Sequence, residues 1–258
     1  MNETENIRHL ERLAANGYVP LETLEYDGWQ LGFSNGYTGR ANSVLIKGDS
    51  TITLEEKVRY CEKEYASRDL PCMFKLTDAD NDINDYLLKH GYKIAKTTDL
   101  MILDLSELNT EDDLSDIYSD VVFETTPDDW FKYYFEYEKL SESERDICAK
   151  IHSKVKAQKI YVKVLKEGKV AAVASVVIED GYSLLHNVIV DPAFRKMGLG
   201  KKLCQAAIAK SKEAGAEYSY LQVMQSNDIA VNLYKSIGFK KLYSYWYISN
   251  RIENKEIK

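Results

Sequence analysis

Beyond Val190 the chain reads DPAFRKMGLGKK, in which Gly198 and Gly200 stand one residue apart with Arg195, Lys196 and Lys201 around them. An apolar run precedes this stretch, and Leu203, Ala206, Ala207 and Lys210 recur at helical spacing after it, so the pattern predicts strand, loop and helix N-terminus. A helix start of this kind presents backbone N–H groups without intrahelical acceptors, and its dipole favours an anion. Glycines let the backbone approach a phosphate closely, and the basic side chains add positive charge. The 258-residue chain carries a net charge of −7, so any such anion site has to be local. The spacing alone fits equally a tight turn with solvated basic residues.

Two phosphate-binding patterns fail on the string itself. The P-loop pattern GxxxxGK[ST] is absent, and GxGxxG is broken because Leu203 stands where the third glycine belongs. A second stretch, NDIAVNLYKSIGF, begins at Asn227 and carries Tyr234. Together, VDPAFRKMGLG and NDIAVNLYKSIGF resemble the acyl-CoA-binding core of the GNAT N-acyltransferase superfamily, with its [QR]-x-x-G-x-[GA] and N-x-x-A-x-x-L-Y-x-x-x-G-F segments. The motifs cover roughly residues 183 to 245, and the element order extends the resemblance to 119–258.

The resemblance implies a mixed sheet in which two strands splay apart and the pantetheine arm of acetyl-CoA enters the gap as an added strand. Backbone groups of Val188, Ile189 and Val190 would pair with that arm. The amides of Arg195, Lys196, Met197, Gly198, Leu199, Gly200 and Lys201 would cradle the pyrophosphate. Asn227 matches a cofactor-contacting asparagine, and Tyr234 a tyrosine near the thioester sulfur that can protonate the leaving thiolate. The implied reaction is N-acetylation, by direct attack of a neutral primary amine in a ternary complex. Leu185 occupies the place of a glutamate that many members use as base. The neighbouring His186, in a position similar to a histidine of the arylalkylamine acetyltransferases, is the candidate base, beside a water chain. Its ordinary pKa of about 6.5 suits proton acceptance. Strand alternation sets His186 opposite Leu185 and alongside Val188 and Val190. Two further readings stay open: a non-catalytic CoA-binding or sensing module, which Leu185 favours and Tyr234 opposes, and a transferase that uses another acyl-CoA.

The elements that must hold these residues come in two similar sets. NDINDYLLKHGYK, from Asn81, aligns with NDIAVNLYKSIGFK, and each follows a helix and a strand. At the glycine-loop position the first copy has KGDSTITLEE, where Thr53 and Glu56 form a capping-box pattern, and Leu88 aligns with Tyr234. The expectation is an α+β protein of two GNAT-like domains, residues 1–108 and 119–258, joined through the acidic stretch SELNTEDDLSD. Each would be a mixed, mostly antiparallel twisted sheet flanked by helices, splayed only in the C-terminal domain. The first copy is expected to be degenerate, to bind no acetyl-CoA and to shape the acceptor side, with Trp29, Arg40 and Asn42 as candidates there.

The acidic charge argues against a nucleic-acid partner. No run approaches the ~20 apolar residues of a membrane span, and the first residues lack a signal-peptide pattern, so a cytoplasmic protein is expected. The four cysteines show no metal-ligand spacing and read as buried thiols; no metal is expected. A small-molecule amine is the expected partner, in a monomer or homodimer. A polyamine, an amino acid, an aminoglycoside-like amine and a protein N-terminus all fit the acidic, tyrosine-rich segment PDDWFKYYFEYEKLSESE.

Overall fold

A computed structural model describes residues 3–48, 50–107 and 114–251. Residues 108–113 of the acidic joining stretch lie outside the described residues. In chain order the elements are α1 (Glu3–Asn16), β1 (Glu22–Tyr26), β2 (Trp29–Phe33), β3 (Val44–Ile46), α2 (Leu54–Ala66), β4 (Met73–Thr77), α3 (Asn81–Lys89), β5 (Lys93–Asp104), α4 (Leu114–Tyr118) and β6 (Val121–Glu124). There follow α5 (Asp128–Tyr137), α6 (Glu142–Lys154), β7 (Gln158–Lys166), β8 (Lys169–Glu179), β9 (Tyr182–Val190), α7 (Leu199–Glu213), β10 (Tyr218–Met224), α8 (Asp228–Ile237) and β11 (Lys240–Ser249). The order β3-α2-β4-α3-β5 recurs as β9-α7-β10-α8-β11, which is the internal repeat of the sequence.

Contacts divide the chain into two units. The first comprises Met1–Asp99, Asp146–Val155 and Tyr243–Lys258; the second comprises Leu100–Arg145 and Lys156–Leu242. In the first unit, β1, β2 and β3 pair antiparallel, β3 pairs β4 in parallel, and β4 pairs β11 antiparallel. Trp29, Leu31 and Phe33 of β2 bury against Val58, Cys61 and Tyr65 of α2, which recur at helical spacing. In the second unit, β6 to β9 form an antiparallel meander and β9 pairs β10 in parallel. The run VAAVASVVI of β8 is almost wholly buried because α7 and α5 both pack on it. Leu203, Cys204, Ala207 and Ile208 of α7 fill that core. The architecture is the mixed, mostly antiparallel α+β one expected, and all four cysteines are buried outside any disulfide.

Two long strands are shared. The end of β5 counts with the second unit, where Met101, Leu103 and Leu105 are core residues and the Leu105 N–H donates to the Glu217 carbonyl at 2.9 Å. Most of β11 counts with the first unit, with Tyr245 opposite Thr77 and Ser249 opposite Met73. Each unit is thus closed by a strand that follows or precedes the other half of the sequence. Among the described residues no helix is long and apolar enough to cross a membrane.

A fragment that begins at residue 119 lacks Met101, Leu103 and Leu105. Burial of such side chains is worth about 1.5–3 kcal/mol each, against a stability of about 5–15 kcal/mol for a whole domain. The expected outcome is loss of the cooperative thermal transition in that fragment, with the transition retained in one that begins at residue 93.

Candidate acyl-CoA site

The loop after β9 is built as its spacing implies. The Asp191 side chain accepts the Ala193 N–H and caps a single 3₁₀ turn, Pro192–Phe194. Lys196 and Gly198 then take left-handed φ of 63° and 77°, and Gly198 becomes the N-cap of α7. Having no side chain, it caps none of the first-turn amides, and that turn holds no acidic residue. The amides of Lys201 and Lys202 bend back to the Gly198 carbonyl, at 3.1 Å each. Arg195, Lys196 and Met197 are exposed around this helix start, where a dipole already disfavours cations. Such an arrangement suits an anion. Gly200 lies where an added Cβ would meet Leu233 and Val190 at 3.5 Å, so it brings β9, α7 and α8 close together.

The strand pair beside the loop splays. β9 and β10 are in register at Tyr182/Tyr218, Ser183/Ser219 and Leu184/Tyr220, after which β9 runs on to Val190 beyond that register. Its other side stays on β8, through a bulge. Ser175 faces His186 and Val173 faces Ile189, so Asn187 and Val188 together oppose Ala174. Asn187 accordingly has φ of 54°, a conformation asparagine tolerates better than most residues. The Asp191 N–H donates to the Ala171 carbonyl at 2.9 Å, so alternation turns the backbone groups of Val190 and Val188 away from β8 and toward the gap. Within the gap, the Val190 carbonyl accepts a 3.3 Å bond from the Arg195 Nε.

The bulge corrects one expectation. His186 shares its face with Ile189, not with Val188 and Val190, because the extra residue reverses the alternation between them. Val188 and Val190 pack against the α7-side core, as does the fully enclosed Leu185. His186 is 7% exposed on the other face. Tyr234, 8% exposed on α8, lies edge-on to Phe239 with ring centres 6.0 Å apart. Burial, and then the nearby Cys204 thiol, push its phenol well above the ordinary value; that thiol is itself raised to about 12 by burial. Tyr234 therefore keeps its proton throughout the physiological range. Asn227 is the N-cap of α8, its Oδ1 accepting the Ala230 N–H at 3.2 Å.

The equivalent loop of the first unit is closed by its own side chains. The hairpin turn Asp27-Gly28, with both φ positive, delivers the Asp27 carboxylate to the N–H groups of Thr51 (2.9 Å) and Ile52 (3.2 Å) and to the Thr51 hydroxyl (2.6 Å). These bonds, chiefly that from the Thr51 hydroxyl, lower the Asp27 pKa to about 2. The fully buried Lys57 lies 3.4 Å from that carboxylate and 4.0 Å over the Trp29 ring. Thr53 and Glu56 complete the capping box at the start of α2. An internal anion and a cap thus take the groups that the α7 loop leaves open. Trp29 is core, and Asn42 is buried with its side chain accepting from Ser34 and Gly36 and donating to the Tyr37 and Thr38 carbonyls. Arg40 stacks over Tyr18 at 4.1 Å. Leu88 is exposed.

A splayed parallel pair beside an uncapped, glycine-started helix, on a mixed sheet, defines the GNAT acetyltransferase fold. Solved structures agree: a GCN5-related N-acetyltransferase from Kribbella flavida superposes with a TM-score of 0.67 over 95% of this chain and 96% of that one, at 16% identity. A tandem GNAT protein from the clavulanic acid biosynthesis pathway gives 0.65 over 95% and 89%, at 11% identity. The family model described as probable histone acetyltransferase Rv0428c C-terminal matches residues 4–248, and the chain belongs to that GNAT family. Among curated relatives, the uncharacterized N-acetyltransferase YobR of Bacillus subtilis is 28% identical over 250 residues, which is 94% of this chain and 98% of that protein. A ribosomal protein bS18-alanine N-acetyltransferase of Haemophilus ducreyi is 45% identical over 58 residues, 22% of this chain and 40% of its own length.

Two stability measurements test these local assignments. Asn227→Ala is expected to cost about 1 kcal/mol in urea unfolding and Asn227→Asp only a few tenths, since aspartate caps equally well. For Asp27 the folded pKa lies below the ordinary aspartate value of 3.8, so its stabilisation is present above that value and lost as pH falls toward 2. Asp27→Asn should therefore lower the unfolding midpoint at pH 7, with a difference that shrinks between about pH 4 and pH 2.

Proposed function

We propose that the chain is an N-acetyltransferase that moves the acetyl group of acetyl-CoA to a primary amine by direct attack in a ternary complex. The observation that carries this reading is the C-terminal half of β9, beyond its last register pair with β10, ending at a helix start with no side-chain cap and surrounding basic side chains. An extended amide-bearing arm fits the first feature and a pyrophosphate fits the second.

Acetyl-CoA supplies an activated thioester. Backbone groups of Val188 and Val190, on either side of Ile189, hold the arm, and the amides from Arg195 to Gly200 take the pyrophosphate with the Lys201 side chain beside them. Asn227, already the cap of α8, adds a contact to the arm. The bulged amides of Asn187 and Val188, near the end of the β9–β10 pairing, face the thioester oxygen as it gains negative charge. Transfer forms the C–N bond and breaks the C–S bond; the amine nitrogen gives up one proton and the thiolate gains one. Tyr234 donates the latter, and its raised pKa keeps it protonated for that purpose. His186, or water held near it, takes the former. The acidic surface of α5 favours a cationic small-molecule amine. The first unit, with its internal anion, binds no second acetyl-CoA.

Calorimetric titration with acetyl-CoA should give one site per chain. Gly198→Val forces a β-branched residue into a left-handed φ and should weaken that binding at least about 100-fold, while its melting temperature reports any general loss of fold. Two sites per chain, or undiminished binding by the variant, would contradict the assignment. With an amine found by thiol-release screening, Tyr234→Phe should lower kcat by roughly 100-fold at unchanged acetyl-CoA affinity. Wild-type kcat should show no alkaline loss up to about pH 10, the ordinary tyrosine value.

A further inference from the structure

The bulge in β9 is held by side chains whose positions need explanation. The Tyr134 hydroxyl of α5 donates to the Asn187 Oδ1 at 3.3 Å, and the Asn187 Nδ2 donates to the Ser175 Oγ of β8 at 3.0 Å. The Ser175 hydroxyl in turn reaches the His186 carbonyl at 3.5 Å. This chain ties α5 to β8 through the single residue of β9 that has a left-handed backbone. Its outer end is rigid: Tyr134 is buried and stacks on the fully buried Trp130 with ring centres 4.7 Å and planes 15° apart, and Trp130 in turn packs on Tyr161. Its inner end is buried as well, since Ser175 is among the buried polar residues.

A regular ladder would place one residue, not two, between the register pairs 175/186 and 173/189, and the polar chain closes on one of the two residues that stand there. Its location matters, since pairing with β10 ends at Leu184 and the bulge follows within three residues.

We propose that Tyr134, Asn187 and Ser175 form a positioning chain for acyl transfer, which holds the bulged backbone so that its amides meet the thioester carbonyl oxygen. This inference rests on the acetyl-CoA reading above. The side chains of Asn187 and Tyr134 act through the backbone and have no contact with the reacting atoms. A displacement of about 1 Å at such amides is enough to slow a reaction on the order of 100-fold.

The test uses the full chain and acetyl-CoA labelled with ¹³C at the carbonyl carbon, which requires no knowledge of the acceptor. Tyr134→Phe removes one hydroxyl and keeps the stacked ring. Asn187→Gly removes the side chain and keeps the left-handed backbone accessible. In difference infrared spectra, the wild-type carbonyl band is expected at lower frequency than in free acetyl-CoA. Both variants should return it toward the free value while the dissociation constant stays within about 2-fold. Thiol release to an amine should fall by on the order of 10-fold or more. The double variant should be no worse than Asn187→Gly alone, since both act through one chain. A wild-type band position and rate in both variants would overturn the positioning role, as would losses that simply multiply in the double variant. Failure of the wild type itself to bind acetyl-CoA would instead overturn the cofactor reading on which the proposal stands.

Discussion

A β-strand held on one side only must satisfy a row of donors and acceptors on the other, and β9 reaches this condition after Leu184. Much of the second unit is arranged around that constraint. β8 anchors one edge, α7 covers the face carrying Leu185, Val188 and Val190, and α5 reaches the bulge from the opposite face. The unpartnered edge leads directly to a loop whose glycine cap leaves the next set of amides open as well. The edge beyond the β10 register and the uncapped helix start therefore lie end to end along one path, and the proposed acetyl-CoA has an extended amide arm for the first and a diphosphate for the second.

The first unit shows how the same supersecondary unit behaves when those deficits are removed. β3 is only three residues long, Asp27 takes the amides of Thr51 and Ile52, and Thr53 with Glu56 closes the helix start. The difference between a site and a stable turn is thus whether the anion is supplied by the protein. Lys57, enclosed beneath Trp29 and Asp27, belongs to that internal arrangement, and burial lowers its pKa.

The sequence made the β9–α7 loop and the start of α8 legible because their constraints are local. A left-handed cap demands Gly198, close packing favours Gly200, and the cap of α8 requires a residue such as Asn227; each is a residue type at a fixed offset. The capping box at Thr53 and the repeated element order were readable for the same reason. The bulge was not, since Asn187 interrupts an alternating run by a single polar residue and the register of β8 is needed to count two residues against one. That omission set His186 on the wrong set of neighbours. Trp29 and Asn42 stood out as polar or aromatic residues in a glycine-rich stretch, yet the partners that absorb them, Lys57 and the carbonyls of Tyr37 and Thr38, become visible only in three dimensions. The sharing of β5 and β11 depends on pairings between remote segments, which no local pattern encodes.

That sharing bears on how the protein is made. β4 acquires β11 as its antiparallel neighbour, and the Cys72 N–H is received by the Asn250 side chain 178 positions later. During synthesis that edge of β4 therefore stays open until β11 has left the ribosome. Closure of such remote pairings is slow, and an exposed edge is prone to association while it lasts. The first unit therefore completes its sheet only after the strands of the second unit have been synthesised.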